Sequence, residues 1–164
     1  GCEALGWPAK VLMCAADSPL VSAQGLQQLL DDVVQRDLEL GYPIVPREAC
    51  EARFPGGHRT YVKMRDCVFT GGNFLVLSGA IVRDRSEWID RFFEARKSPF
   101  RLASLLGWKL VLRMVLGGVT VAQAEAYFTR RFGLRAAAVV CHDAGMGFDV
   151  DKPEDLEFMV RITA

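Results

Sequence analysis

The chain has no surplus charge: 20 basic and 20 acidic side chains cancel at neutral pH over 164 residues. Without an electrostatic excess to grip phosphates, the balance argues against nucleic acid as the main partner. Histidine is scarce, with only His58 and His142, and no C-x-x-C pair occurs among Cys2, Cys14, Cys50, Cys67 and Cys141. That spacing argues against a zinc site, since neither histidine sits at ligand spacing from the cysteines. Odd in number and widely spread, the cysteines read as reduced thiols of a cytoplasmic protein, mostly small buried apolar residues. No uninterrupted apolar run reaches the ~20 residues a bilayer crossing needs. The most apolar stretch, residues 100–122, carries Arg101, Lys109 and Arg113 and is broken by glycines. The chain starts at Gly1 and shows no signal-peptide pattern. What is present is a composition 51% hydrophobic and 24% charged, which suits one domain, residues 1–164, with a real core.

Residues 11–16 (VLMCAA) form a short apolar run ended by Asp17-Ser18-Pro19, the pattern of a buried, parallel strand. From Ser22 the apolar positions Leu26, Leu29, Leu30, Val33, Val34 and Leu38 follow helical spacing, with Ser22 as N-cap and Gly41 as terminator. Residues 42–46 (YPIVP) are a second strand, whose prolines place them at strand ends or on an edge. Strand, helix and strand with short joints are the unit of an α/β fold. Residues 59–64 (RTYVKM) and 67–69 read as strands around an Arg65-Asp66 turn, and a run resumes at Phe74 after Thr70-Gly71-Gly72-Asn73. Ser86 and Ser98-Pro99 are helix starts, the former facing Trp88, Ile89, Phe92 and Phe93 inward. Thr120 and Gln123 have capping-box spacing and Gly133 ends that helix. Residues 135–141 are a buried strand, and Pro153 opens the last helix with acids in its first turn.

Four groups of residues could carry chemistry. Asp17 follows a strand directly, where α/β sheets place ligands, although it could equally cap its own Asp-Ser-Pro turn. Asp149 and Asp151 are two apart, so in an extended segment both carboxylates point one way, a donor set for Mg²⁺; the alternative is helix capping by Asp151. Thr70, Gly72 and Asn73 offer close backbone approach and a side-chain amide, or simply a bulge. Arg59 and Lys63 share one side of an alternating strand and could meet a phosphate, or be a solvated edge. Lys109 and Arg113 lie one helical turn apart, opposite Leu110, Leu112 and Val115, a pattern open both to a membrane-surface helix and to packing on the chain's own domain.

In their order along the chain, Ala15-Ala16-Asp17-Ser18-Pro19-Leu20, Tyr42-Pro43-Ile44-Val45-Pro46, Arg59-Thr60-Tyr61-Val62, Phe69-Thr70-Gly71-Gly72-Asn73 and Asp149-Val150-Asp151-Lys152-Pro153-Glu154-Asp155-Leu156 resemble the motifs of the MobA-like nucleotidyltransferases. The resemblance implies a Rossmann-like, mostly parallel sheet flanked by helices, binding an NTP with Mg²⁺ across its carboxyl edge. It implies that Asp17 and Asp151 are the catalytic, metal-binding acids, assisted by Asp149, and that Gly72 and Asn73 receive a phosphorylated sugar, polyol or cofactor. Lys152 stands where the family has threonine, shifting capping to Asp151. The family's first strand and Gly-rich phosphate loop have no counterpart in these residues, so the expectation is an N-terminally truncated chain, incomplete in its sheet and able to associate into a homo-oligomer through the exposed strand. The rival readings are a glycosyltransferase using Asp149-Val150-Asp151 as its metal motif, and a non-catalytic or membrane-surface module built on the cationic stretch 100–118.

Overall fold

The computed structural model describes residues 1–85, 87, 89, 90, 94, 104 and 107–163. Strand β1 (Lys10–Cys14) leads to helix α1 (Ala23–Gln35), then to β2 (Leu40–Pro46) and a short helix α2 (Arg47–Arg53). A second run supplies β3 (Val62–Lys63), β4 (Val68–Gly71), β5 (Phe74–Ser78) and helix α3 (Gly79–Asp84). Helices α4 (Trp108–Val115) and α5 (Val121–Phe132), strand β6 (Ala136–Val140) and helix α6 (Pro153–Thr163) complete the described elements.

The sheet corrects the expected Rossmann-like, mostly parallel arrangement. Among the described residues four of the five strand pairings, β1–β5, β2–β5, β2–β4 and β3–β4, are antiparallel, and only β2–β6 is parallel. The reason is where β5 lies. β1, α1 and β2 follow one another as a strand–helix–strand unit, but β5 is inserted between the two strands and pairs with both. β1 therefore runs alongside neither β2 nor β6, and the strand read as parallel from residues 11–16 is joined to its neighbour antiparallel, Lys10 facing Ser78 and Cys14 facing Phe74.

β2 is central rather than an edge. β6 lies along one side of it, while β5 at Leu40 and Gly41 and β4 from Ile44 to Pro46 share the other. A proline normally breaks a central ladder because it has no N–H to give. Pro43 is tolerated because it faces the gap between β4 and β5, where its carbonyl accepts the Gly72 N–H at 2.9 Å. Glycine is required opposite it: a Cβ on Gly72 would stand 2.7 Å from Pro43 Cγ and 3.3 Å from the Met146 carbonyl oxygen. Gly72→Ala is expected to cost about 1–3 kcal/mol, the range for overpacking a tight core, measurable as a lowered urea midpoint with unchanged m-value. Gly41, read from sequence as a helix terminator, is instead inside β2, where a Cβ would collide with Val33 of α1. The helix ends earlier, with Asp37 in the left-handed region at φ 47°.

Both faces of the sheet are covered, which is why β5 is apolar throughout rather than alternating. Val76 packs with Leu29 and Val33 of α1, Val139, Met146 and Phe148; Leu75 and Leu77 pack on the other face with Ile81, Ile89 and Leu134. A third cluster joins Met64, Leu110 and Val119. The sequence-derived caps hold: Ser22 Oγ accepts the Gly25 N–H at 3.0 Å, and Thr120 and Gln123 form a reciprocal capping box. Gly133 ends α5 at φ 66°. Ser86, Trp88, Phe92, Phe93, Ser98, Pro99 and Arg101 lie outside the described residues. All five cysteines are free thiols, and burial pushes that of Cys141 up to about 11. No helix among the described residues is long and apolar enough to cross a membrane.

Candidate functional site

β1, β2 and β6 run in one direction, so their carboxyl ends meet at one edge of the sheet. Three segments converge there. The β4–β5 break brings Asn73, whose N–H donates to the Met146 carbonyl at 3.1 Å and whose own carbonyl accepts the Ala15 N–H at 3.0 Å. The turn after β1 brings Asp17, whose carbonyl accepts the Val150 N–H at 2.9 Å. The loop leaving β6 passes through a buried 3₁₀ turn (Ala144–Gly147) to Phe148 and the two aspartates. Its course is fixed by Asp143, whose carboxylate accepts the N–H and hydroxyl of Ser22 and the N–H of Gly145.

At this edge lies an open cavity of about 370 Å³, lined by Arg59, Thr70, Asn73, Asp149, Asp151 and Lys152. Residues 90 positions apart in sequence are thus brought to one concavity. Gly147 also lines it, and a Cβ there would stand 2.7 Å from Thr70 Cγ2. The side chain of Arg59 is only 10% exposed. Its guanidinium lies 3.7 Å from the centroid of the Phe148 ring, donates to the His58 carbonyl at 3.0 Å, and pairs with Asp149 at 3.5 Å. One of its nitrogens, Nη2, is buried with no hydrogen-bond partner. The Ser18 hydroxyl, beside Asp17, is the other buried side-chain atom so placed among the described residues.

Burial pushes the Asp149 carboxyl above its ordinary range, and the negative charge of Asp151 adds to that, against the opposing pull of Arg59. Two like charges held together in a half-buried site are what a divalent cation relieves. Among the described residues no cluster of three or more metal-ligating side chains occurs. Mg²⁺ does not demand one, since it keeps several waters and is held by one or two carboxylates together with substrate phosphates. The donor set fits that cation.

The structure sorts the sequence-derived candidates. Arg59, Thr70, Asn73, Asp149 and Asp151 share the cavity. Asp17 is exposed on the adjoining turn, tied by its backbone to the residue between the two aspartates. Gly72 lies behind the wall, buried against Pro43. Lys63 is not part of the lining: the strand read over residues 59–64 is reduced to Val62–Lys63, so the alternation that would pair Lys63 with Arg59 never forms. Capping of α6 falls to Asp155 rather than Asp151, its carboxylate accepting the N–H groups of Asp151 at 3.2 Å and Lys152 at 3.0 Å. Asp155, His58 and Thr60 also line the cavity and were not singled out from sequence; Asp155 could have been, as the acid one turn beyond Asp151.

The architecture has a counterpart of known structure. The chain is similar to a solved structure of a hypothetical transferase from Thermus thermophilus, with 39% sequence identity and a TM-score of 0.82. The likeness covers 94% of this chain and 66% of that one. The fold described above is thus that of the hypothetical transferase. No family model matches the chain, so the MobA-like resemblance rests on its motifs. No curated protein matches it either.

Proposed function

We propose that the chain carries the acidic site of an Mg²⁺-dependent nucleotidyltransferase, which moves an NMP group from an NTP to a phosphorylated small-molecule acceptor. An oxygen of the acceptor phosphate attacks the α-phosphorus, the bond between the α- and β-phosphates breaks, and pyrophosphate leaves. The observation that carries this reading is the single cavity whose lining brings Arg59, Thr70 and Asn73 together with Asp149 and Asp151. The similarity to a transferase supports the class of reaction, and the motif order supports the kind of group transferred.

Asp149 and Asp151 would hold the cation, which when bound neutralises phosphate charge. The protein's own part is positioning. Asn73 presents an amide to the acceptor, and Thr70 sets the floor of the cavity against Gly147. Arg59, clamped between Phe148 and Asp149, orients the Asp149 carboxylate. Three carboxylates (Asp149, Asp151, Asp155) stand against two cationic side chains (Arg59, Lys152) in the lining, so a polyanionic triphosphate is repelled unless a cation accompanies it. Nucleotide affinity should therefore depend on Mg²⁺. Titration calorimetry of the chain with each NTP, with and without Mg²⁺, followed by pyrophosphate release in the presence of sugar and polyol phosphates, tests the proposal. Affinity indifferent to Mg²⁺, with no pyrophosphate formed from any pair, defeats it.

A further inference from the structure

Helix α4 has two faces that the proposed chemistry leaves unused. Leu110 is buried with Met64 and Val119, and Val111 and Met114 pack at the margin of that cluster. At roughly 100° per residue, Trp108, Leu112, Leu116, Lys109 and Arg113 follow one another around the opposite side of the helix as one continuous arc. Its apolar members are 59%, 60% and 75% exposed in that order, and Lys109 and Arg113 are exposed as well. Leu112, read from sequence as opposite the two cations, is in fact beside them. The arc is apolar along one half and cationic along the other.

Charge along the chain says what covers such an arc. The protein as a whole is neutral, yet the 30 residues between Glu94 and Glu125 contain no acid and five bases, Arg96, Lys97, Arg101, Lys109 and Arg113. A water-exposed aliphatic stripe beside a cationic one is the pattern of a helix lying in a membrane interface, its leucines among the acyl chains and its cations among anionic headgroups. Nucleic acid would answer the cations but leave Leu112 and Leu116 in water. We infer that α4 docks the protein, lying flat, on an anionic phospholipid surface.

Co-sedimentation of the chain with phosphatidylcholine vesicles, with and without phosphatidylserine, tests this. Binding is expected only with phosphatidylserine and is weakened by salt. The paired substitution Lys109→Gln with Arg113→Gln should lower the affinity about 25-fold, from about fivefold for each lost cation. Leu112→Ser with Leu116→Ser should lower it further, while near-unchanged thermal melts show that both variants are folded. Failure to bind vesicles containing phosphatidylserine, or binding unaffected by the glutamine pair, overturns the inference. So does lipid-free dimerisation abolished by Leu112→Ser with Leu116→Ser, which would make a second copy the occupant of the arc.

Discussion

Phe148→Ala is expected to lower unfolding stability by about 3–5 kcal/mol, the range for truncating a fully buried aromatic ring. Phe148 is 1% exposed and sits in the main core cluster with Leu29, Val33, Val139 and Met146. Its ring meets Phe54 edge-on at 5.3 Å and stacks on Phe158 of α6 at 5.7 Å, so two separate segments lose a shared partner. A domain of this size has a total stability of roughly 5–15 kcal/mol, which leaves the alanine variant marginal at room temperature. The effect reaches the cavity because the guanidinium of Arg59 rests on the same ring. Phe148→Leu separates the two consequences. It keeps most of the apolar volume and should cost about 1.5 kcal/mol or less, the limit for swaps that conserve volume, yet it removes the aromatic face beneath Arg59. Urea unfolding of the two variants measures the packing part. A leucine variant as unstable as the alanine one would show that the Arg59 contact, rather than volume, dominates.

The contact between Arg59 and Phe148 also shows where a single sequence runs out. Local signals were legible because they act over a few residues: the Ser22 cap, the reciprocal Thr120 and Gln123 box, the left-handed Gly133, and the two-residue spacing of Asp149 and Asp151. The order of strands was not, because nothing within β1, α1 and β2 records that β5 will lie between the first and the last. A strand buried on both faces, as β5 is, is apolar throughout whether its neighbours run parallel or antiparallel, so its composition could not decide their direction; β1, apolar enough to read as buried, is among the described residues an edge strand paired only with β5 and has no buried residue. Pro43 misled for a related reason. Its place in a central strand is made possible by a break between β4 and β5 some 30 residues later, visible in sequence only as Gly71-Gly72. Of the candidate site, the aspartates and the Thr70–Asn73 segment were readable as chemistry-bearing types at suggestive spacings. The clamp on Arg59 was not, since it joins residues 89 positions apart, and Lys63 was over-read because alternation was assumed where the chain is not yet a strand.

Asp151→Asn should lower turnover by about 10²–10³, the loss seen when one group that stabilises developing charge is removed from a preorganised site. It should also shift the acid limb of the pH profile, and the sign follows from the neighbours. Asp149 must be ionised to hold a cation, so activity rises with pH as its proton leaves. Burial and the charge of Asp151 both hold that proton on, while Arg59 opposes them. Without the Asp151 charge, the Asp149 carboxyl falls back toward its ordinary range and the acid limb of the residual activity moves to lower pH. The same shift governs stability. A carboxyl whose pKa is higher folded than unfolded favours the fold while protonated, and that contribution is lost as pH rises through the folded value. Ionised Asp149 therefore works against folding at neutral pH, and Asp151→Asn, by removing its repulsive neighbour, should raise stability at pH 7 while lowering activity. Thermal melts and pyrophosphate release measured on the same samples at pH 5 and pH 7 read both signs at once. A variant that loses stability along with activity would mean that Asp151 serves the fold, as a cap or a bridge, and would remove it from the proposed metal pair.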